Sequence, residues 1–383
     1  MNAPDEQNGA LRCWVEVSAV ALRANAALAG RLAGNGRACV MAVVKADAYG
    51  HGLRQTTRAL ARDIGAFAVA SVDEAVLVAE CARHCGDGRV PPVYVLSPAL
   101  TAETAQIVRH GFIPAISTAE EVERFAAASA ERITAVHVVV DTGMGRMGAL
   151  PGDAAAVLRA VQASTRLTLD SVSSHFPSSD EDEAFTRAQD ARFRALTAQW
   201  QAEFGPFRTH IANSAGILHY PRPAGELVRA GLMLYGVSPL EKYQTQLQPA
   251  LTWKTRVTLV RRLPAGHGIS YGRTFITAQP TLVASLAAGY GDGYPRQVSG
   301  HGAAVLIGGQ RCPILGRVTM DQILADVTAL PIAPAPGDEA VLLGCQGDAV
   351  ITAPELAAQA GLIPWQLFTG ITSRTVRRMT GGE

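Results

Sequence analysis

A chain of 383 residues is too long for one ordinary hydrophobic core, so two domains are the expectation. It is 48% hydrophobic and 17% charged with a formal net charge of +1, which argues against an electrostatic preference for nucleic acid or an anionic membrane. No apolar run approaches the roughly 20 residues of a membrane helix, and the polar start MNAPDEQNGALRCW lacks the apolar centre of a signal peptide, so a cytoplasmic protein is expected. Short apolar stretches at 38–45, 66–71, 92–97, 113–117, 135–142, 167–175, 209–214 and 227–236 read as buried strands. Helical composition fills 53–64, 73–84, 102–110, 119–130, 153–163 and 181–203. The stretch from 214 to 227 is too short and too rich in proline for a full helix. Ser71 before Asp73-Glu74, and Ser117-Thr118 before Glu120-Glu121, are N-cap signals.

Eight strand–helix alternations within about 250 residues spell an α/β fold of the TIM-type (β/α)8 barrel kind. An open doubly wound sheet fits the same alternation. After Lys242 the texture changes. Short strands at 257–260, 281–286, 304–307, 322–327 and 340–343 alternate with Gly, Pro and Asp turns, and Pro331, Pro334 and Pro336 punctuate one link. A short helix at 353–360, capped by Thr352, interrupts them. The expected organisation is a barrel over 11–242 and a mainly antiparallel β domain over 243–383.

Within the barrel, the stretch ACVMAVVKADAYGHG at 38–52 carries a lysine, Lys45, at the end of a buried strand, followed by a Gly-rich turn. Burial lowers a lysine pKa and makes the amine a nucleophile for carbonyls, which suggests an imine with an aldehyde cofactor such as pyridoxal 5'-phosphate (PLP). A lysine that merely snorkels from a strand end is the bland alternative. Other strands also end in polar residues: Asp141-Thr142-Gly143-Met144-Gly145-Arg146 after the fifth, His175 after the sixth, Asn213-Ser214 after the seventh, and Arg229 on the eighth. Each alone has a structural reading, His175 as a satisfied core residue and the glycines as turn formers. All of them at one barrel mouth point to a site. Asn213-Ser214 and the Ala230-Gly231-Leu232 backbone suit the phosphate position that barrels place after strands seven and eight. Cys81 and Cys85 with His84 between them share a predicted helix, but no second ligand pair accompanies them, so reduced thiols rather than a metal centre are expected among the six cysteines.

These stretches resemble the alanine racemase family of fold-type III PLP enzymes. The resemblance rests on VVKADAYGHG at 43–52, DTGMGRMG at 141–148, SHF at 174–176, ANSAG at 212–216, VRAGLMLYG at 228–236, ISYGRTF at 269–275, GYGDGYPR at 289–296 and GRVTMDQ at 316–322. It implies that Lys45 holds PLP and serves as the base on one face of the substrate carbon, and that Tyr271 serves on the other. In the family this tyrosine comes from the partner subunit, so a homodimer with shared sites is implied. A phenol ionises near pH 10, so it needs cationic neighbours, and the resemblance assigns that task to His175 and Arg229, with Arg229 also facing the pyridine nitrogen. Tyr49, Asn213, Ser214, Gly231 and Leu232 are implied in cofactor binding around the phosphate. Arg146 is implied at the phenolic oxygen and the substrate carboxylate, and Met320, Asp321 and Tyr290 at the substrate pocket.

Two positions depart from the family pattern. The lysine, often carbamylated, that usually stands two residues before the motif aspartate is Val139 here, so Arg146 loses its support. The family's C-terminal tyrosine that bonds the phosphate falls at Trp365, and the following glutamate at Gln366; an indole N–H donates but cannot accept. The arginine-rich ending survives in part at 373–378. The alternatives are a racemase with a wider pocket for serine or larger amino acids, a non-catalytic PLP-binding protein, and a fold-III decarboxylase. Tyr271 and the β domain argue against the second. Arg229, where decarboxylases place an acidic residue, argues against the third.

Overall fold

The structure, a computed structural model, describes residues 11–34, 36–85, 90–223 and 225–381; the polar start over 1–10 lies outside them. The described chain opens with β1 (Cys13–Ser18), followed by a helix over Ala19–Leu32, two elements that the sequence reading missed. Then come the barrel strands β2 (Val40–Val43), β3 (Ala66–Val69), β4 (Val93–Pro98), β5 (Ile113–Ile116), β6 (Thr134–Val139), β7 (Leu167–Ser173), β8 (Arg208–His210) and β9 (Val228–Ala230). They form one parallel sheet in the order β8-β7-β6-β5-β4-β3-β2-β9. Backbone hydrogen bonds from Leu227 N to Thr209 O (2.9 Å) and from Arg229 N to Ala212 O (3.0 Å) carry the ring across the remaining seam. The barrel reading holds, and the open sheet does not.

β2, β3 and β5 are short continuous apolar runs because both of their faces are covered. All four residues of β2 and of β3 are buried. The barrel interior is partly polar. The rings of Tyr94, His137 and His210 lie 5.4 to 5.8 Å apart. The Tyr94 hydroxyl donates to Asp170 Oδ2 at 2.5 Å, and Asp170 pairs in turn with Arg208. The expected caps form: Ser71 and Thr118 each close a capping box at the start of helices Val72–Arg83 and Ala119–Ala128.

The observed strands stop earlier than the apolar pattern suggests. β7 ends at Ser173 rather than His175, β8 at His210 rather than Ser214, and β9 at Ala230 rather than Gly236. Gly231 (φ −109°, ψ −103°) breaks β9, and Leu232–Tyr235 follow as a 3-10 turn. The pattern runs on because these connections at the barrel mouth are themselves buried.

The other strands are β10 (Leu251–Leu263), β11 (Gly268–Ile269), β12 (Phe275–Ile276), β13 (Thr281–Leu286), β14 (Ala304–Ile307), β15 (Gln310–Pro313), β16 (Ile323–Asp326), β17 (Glu339–Gln346), β18 (Ala349–Ile351) and β19 (Val376–Thr380). Their main sheet runs β15-β14-β17-β10-β1-β19, with β13 and β16 continuing from β10 and β18 pairing with β17. Every pairing here is antiparallel except β1 with β19.

Two compact units result: Ala21–Ala48 with Leu53–Gln248, and Met1–Val20 with Tyr49–Gly52 and Pro249–Glu383. The ranges read from sequence, 11–242 and 243–383, differ from them. β1 joins the second unit because it adds to β10 on one edge and to β19 on the other, a pairing between chain positions more than two hundred residues apart.

Gly293 (φ +101°) shows how tightly the second unit is built: a Cβ there would meet Gly370 O at 2.2 Å. Gly293→Ala is expected to lower the urea midpoint by the equivalent of about 2 kcal/mol or more. Gly152→Ala, on helix Pro151–Ala163 with nothing within 4 Å of the added methyl, should be neutral or stabilising by up to ~1 kcal/mol. Parallel urea unfolding of the two variants checks both.

Candidate active site

Lys45 leaves β2 at the last rung of the β2–β3 ladder, where Val44 N donates to Ala68 O at 2.9 Å. The following turn is not the glycine turn expected. Ala46, Asp47, Ala48 and Tyr49 all take left-handed φ values of 54°, 53°, 54° and 52°, and the glycines at 50 and 52 come only afterwards. Left-handed backbone costs a non-glycine residue about 1–2 kcal/mol, so the turn must be held from outside. Ala48 N donates to Val44 O (2.8 Å), Leu53 N to Asp47 Oδ1 (2.7 Å), and Ala46 N to Glu74 Oε1 (2.6 Å). The half-buried Lys45 amine has its pKa lowered, first by desolvation and then by the Arg146 cation; Glu74 opposes this and Arg229 adds to it. The neutral nucleophilic amine is therefore available at lower pH than for an exposed lysine. Burial pushes the Tyr49 phenol up to about 12, which keeps it a hydrogen-bond donor.

Arg229 is the cation at the centre of the site. Its guanidinium is buried, and its Nη1 donates to His210 Nδ1 (2.7 Å) and His210 O (3.0 Å). Its Nη2 donates to Ser174 O (2.7 Å), His175 Nδ1 (2.9 Å) and Ile211 O (3.0 Å). Burial lowers its pKa to about 10, which still leaves it charged at neutral pH. Because Arg229 can only donate, the Nδ1 atoms of His175 and His210 must accept, and each neutral ring carries its proton on Nε2. Desolvation and then the Arg229 charge hold both histidines well below the ordinary imidazole range. His137, behind them, is depressed to about 4 by desolvation.

Arg146 follows a loop clamped by one carboxylate. Asp141 accepts from the backbone amides of Gly143 (2.9 Å), Met144 (2.8 Å) and Gly145 (2.8 Å). The exposed Arg146 lies close enough for its charge to act on both Lys45 and His175. Half-buried Val139 closes β6, and its aliphatic side chain carries no group that could pair with a guanidinium. Ser214 Oγ accepts from Gly231 N and Met233 N, both at 3.2 Å, so its own proton remains to be donated. Leu232 stands between those two amides. Asn213 is a structural brace: its side chain accepts from Gly216 N (3.0 Å) and Ser179 Oγ (2.8 Å) and donates to Phe176 O (3.2 Å).

Tyr271, Tyr290, Met320 and Asp321 belong to the second unit. Tyr271 is 69% exposed and follows Ser270, whose backbone (φ 61°, ψ −173°) lies in a region nearly reserved for glycine. Tyr290 N donates to Thr319 O (3.0 Å) and Gly291 N to Met320 O (2.8 Å), so the structure brings Tyr290, Met320 and Asp321 together. Arg374 ties them by pairing with Asp292 (2.7 Å) and Asp321 (2.7 Å). Trp365 is half-buried on helix Pro364–Thr369.

The sequence reading missed His210, Glu74 and Gln189. Gln189 Nε2 donates to Thr142 Oγ1 and His175 O, both at 2.9 Å, joining the ends of β6 and β7. The one visible signal was Glu74 at the third position after Ser71. The histidines also set a pH dependence. Unfolded, each binds a proton below about pH 6.5; folded, each resists it. The unfolded state therefore takes up more protons as pH falls from 6.5 toward 4, and stability falls with it. The expected slope is up to about 1.4 kcal/mol per pH unit for each of His137, His175 and His210. Urea unfolding between pH 7 and 5 measures it, and His210→Gln should flatten it.

The geometry described has known counterparts. The model of the alanine racemase N-terminal domain matches residues 17–239, and that of the alanine racemase C-terminal domain matches residues 250–379. An alanine racemase of Symbiobacterium thermophilum is 39% identical over 378 residues, 97% of each chain. One from Halothermothrix orenii is 36% identical and covers 95% of this chain and 96% of its own. The structure of alanine racemase from Streptomyces coelicolor A3(2) superposes with a TM-score of 0.89 at 32% identity, over 98% of this chain and 100% of that one. With both domains matched in order and the relatives aligned along nearly their full length, the chain belongs to the alanine racemase family.

Proposed function

We propose that this chain interconverts L- and D-alanine with PLP as cofactor, in a homodimer whose partner subunit supplies Tyr271. The observation that carries the reading is the single electrostatic cluster formed by Lys45, Arg146, His175 and Arg229 at the C-terminal ends of the barrel strands, where barrel enzymes place their chemistry. This donor set fits PLP: an amine with a lowered pKa for the aldehyde, a buried guanidinium for the ring nitrogen, the Ser214 proton and the Gly231–Leu232 backbone for the phosphate, and a protonated Tyr49 phenol.

When bound, the cofactor supplies an electron-withdrawing ring that acidifies the substrate Cα–H. Everything else falls to the chain. Lys45 and Tyr271 act from opposite faces of the carbon, one removing a proton and the other returning one, so the direction of reaction exchanges their roles. The neutral His175 keeps its Nε2 proton to donate to a phenolate. Arg229 retains its own proton, so a ring nitrogen facing it stays an acceptor; this limits electron withdrawal and with it side reactions such as transamination. Arg146 is suited to a substrate carboxylate, to which its fork donates twice. Met320, Asp321 and Tyr290 line the substrate pocket in this reading.

The exposure of Tyr271 (69%), Met320 (52%) and Ile276 (46%) on the second unit supports a surface that a partner copy covers. A cytoplasmic setting, with D-alanine passing to peptidoglycan, goes with the six free thiols.

The test is incubation of the purified chain with L-alanine in deuterated water, followed by chiral analysis. D-Alanine carrying α-deuterium is expected, and product without solvent deuterium contradicts the reading. L-Serine run alongside decides the wider-pocket alternative. Tyr271→Phe should lower turnover about a hundredfold or more, while borohydride still fixes the cofactor to Lys45 on peptide mapping. Unchanged turnover would remove Tyr271 from the mechanism.

A further inference from the structure

Glu74 does more than cap its helix. Its Oε2 completes the capping box at the start of helix Val72–Arg83, accepting from Ala70 N (2.9 Å) and Ser71 N (3.3 Å). Its Oε1 reaches to the neighbouring strand end and accepts from Ala46 N at 2.6 Å. The chain contains its own control for this arrangement. Two strand–helix units later the same capping box recurs at Thr118 and Glu121, where Oε2 accepts from Ser117 N (2.6 Å) and Thr118 N (3.2 Å). There the second oxygen turns to Arg124 on its own helix, 3.7 Å away. One carboxylate oxygen therefore suffices for the cap, and only in Glu74 is the other spent on the residue after Lys45.

That contact sits where the sheet can no longer hold the chain. The β2–β3 ladder ends at Val44, and from Ala46 onward the backbone is left-handed. A charge-assisted bond to Ala46 N takes the place of the next rung at the point where strain begins. We infer that Glu74 is a positioning residue for Lys45, its carboxylate latching the left-handed turn that aims the amine out of β2. The inference rests on the reading of Lys45 as the reacting amine. The groups facing that amine are Arg146 from the loop after β6, Arg229 from β9, the neutral His175 after β7 and Glu74 itself; Glu74 is the anion among them. Removing its charge leaves the two arginines unopposed and should move the amine's titration downward.

The sequence makes the test clean, because the chain has only three lysines, Lys45, Lys242 and Lys254. Lys254 is held by Glu16 (3.0 Å) and Glu339 (3.2 Å) and serves as an internal reference. The full chain, freed of cofactor, is acetylated at a series of pH values, and modification at Lys45 is read by peptide mass spectrometry. Glu74→Gln is expected to move the Lys45 midpoint down by about half a pH unit or more and to speed hydrogen exchange at Ala46 about tenfold or more. Ser71→Ala, which breaks the same capping box without touching the Ala46 contact, should cost helix stability and leave both readings in place, as should Glu121→Gln. The inference is overturned if Glu74→Gln leaves Lys45 and Ala46 unmoved, or if Ser71→Ala or Glu121→Gln moves them equally. A shifted Lys45 in a protein that does not racemise alanine would uphold the latch and sink the proposed function; racemisation with an unmoved Lys45 would do the reverse.

Discussion

The buried guanidinium of Arg229, which hydrogen-bonds to no carboxylate among the described residues, governs this site. All five hydrogen bonds described for Arg229 run to neutral acceptors: three backbone carbonyls and the Nδ1 atoms of two histidines. A buried cation is costly; the Glu226 charge offsets part of the burial, and the remaining cost becomes a constraint on the neighbours of Arg229. It fixes the tautomers of His175 and His210 and keeps both uncharged. With Arg146 it also depresses the lysine amine. A carboxylate in its place would reverse these effects, raising the pKa values of the histidines and of the lysine amine.

The residues assigned to proton transfer both stand beside strained backbone. Four left-handed residues follow Lys45, and Ser270, with φ 61°, precedes Tyr271. Strain of this kind persists only where the surroundings over-determine it. Near Lys45 the restraints are side-chain carboxylates, Asp47 and Glu74, each accepting a backbone amide. Near Tyr271 they are Ser270 Oγ donating to Arg317 O at 2.6 Å and a glycine at 316, where a Cβ would meet Ile269 O at 2.7 Å. In both places the side chain assigned to proton transfer stands on backbone that has few other conformations available.

The barrel was legible because β2, β3, β5 and β9 are fully buried and two of its helices carry explicit caps, Ser71 and Thr118. The strand-end residues were legible as a set, since Lys45, Arg146, His175, Ser214 and Arg229 interrupt apolar runs. What the sequence hid depends on distance along the chain. β1 was not read as a strand, and nothing local shows that it joins β10 and β19. His210 looked like one more strand residue, because its role appears only when Arg229, on the adjacent seam, donates to it. Glu74 was visible as a cap, whereas its second oxygen finds a partner only once β2 and β3 lie side by side. The left-handed turn at 46–49 was hidden for a different reason: alanine and tyrosine carry no signal for that conformation, Asp47 alone carries a weak one, and the nearby glycines drew the reading to themselves.

In the proposed dimer each site is assembled from two copies of the chain, one giving Lys45 and the other Tyr271. The most direct measurement mixes two inactive variants, Lys45→Ala and Tyr271→Ala, after dissociating and reassociating the subunits. Half of the dimers formed at random are mixed, and each mixed dimer holds one site with both residues intact, so roughly a quarter of the unmodified turnover should return. If the mixture stays as inactive as its components while mixed dimers demonstrably form, the two residues do not meet across a subunit boundary, and the shared site is contradicted.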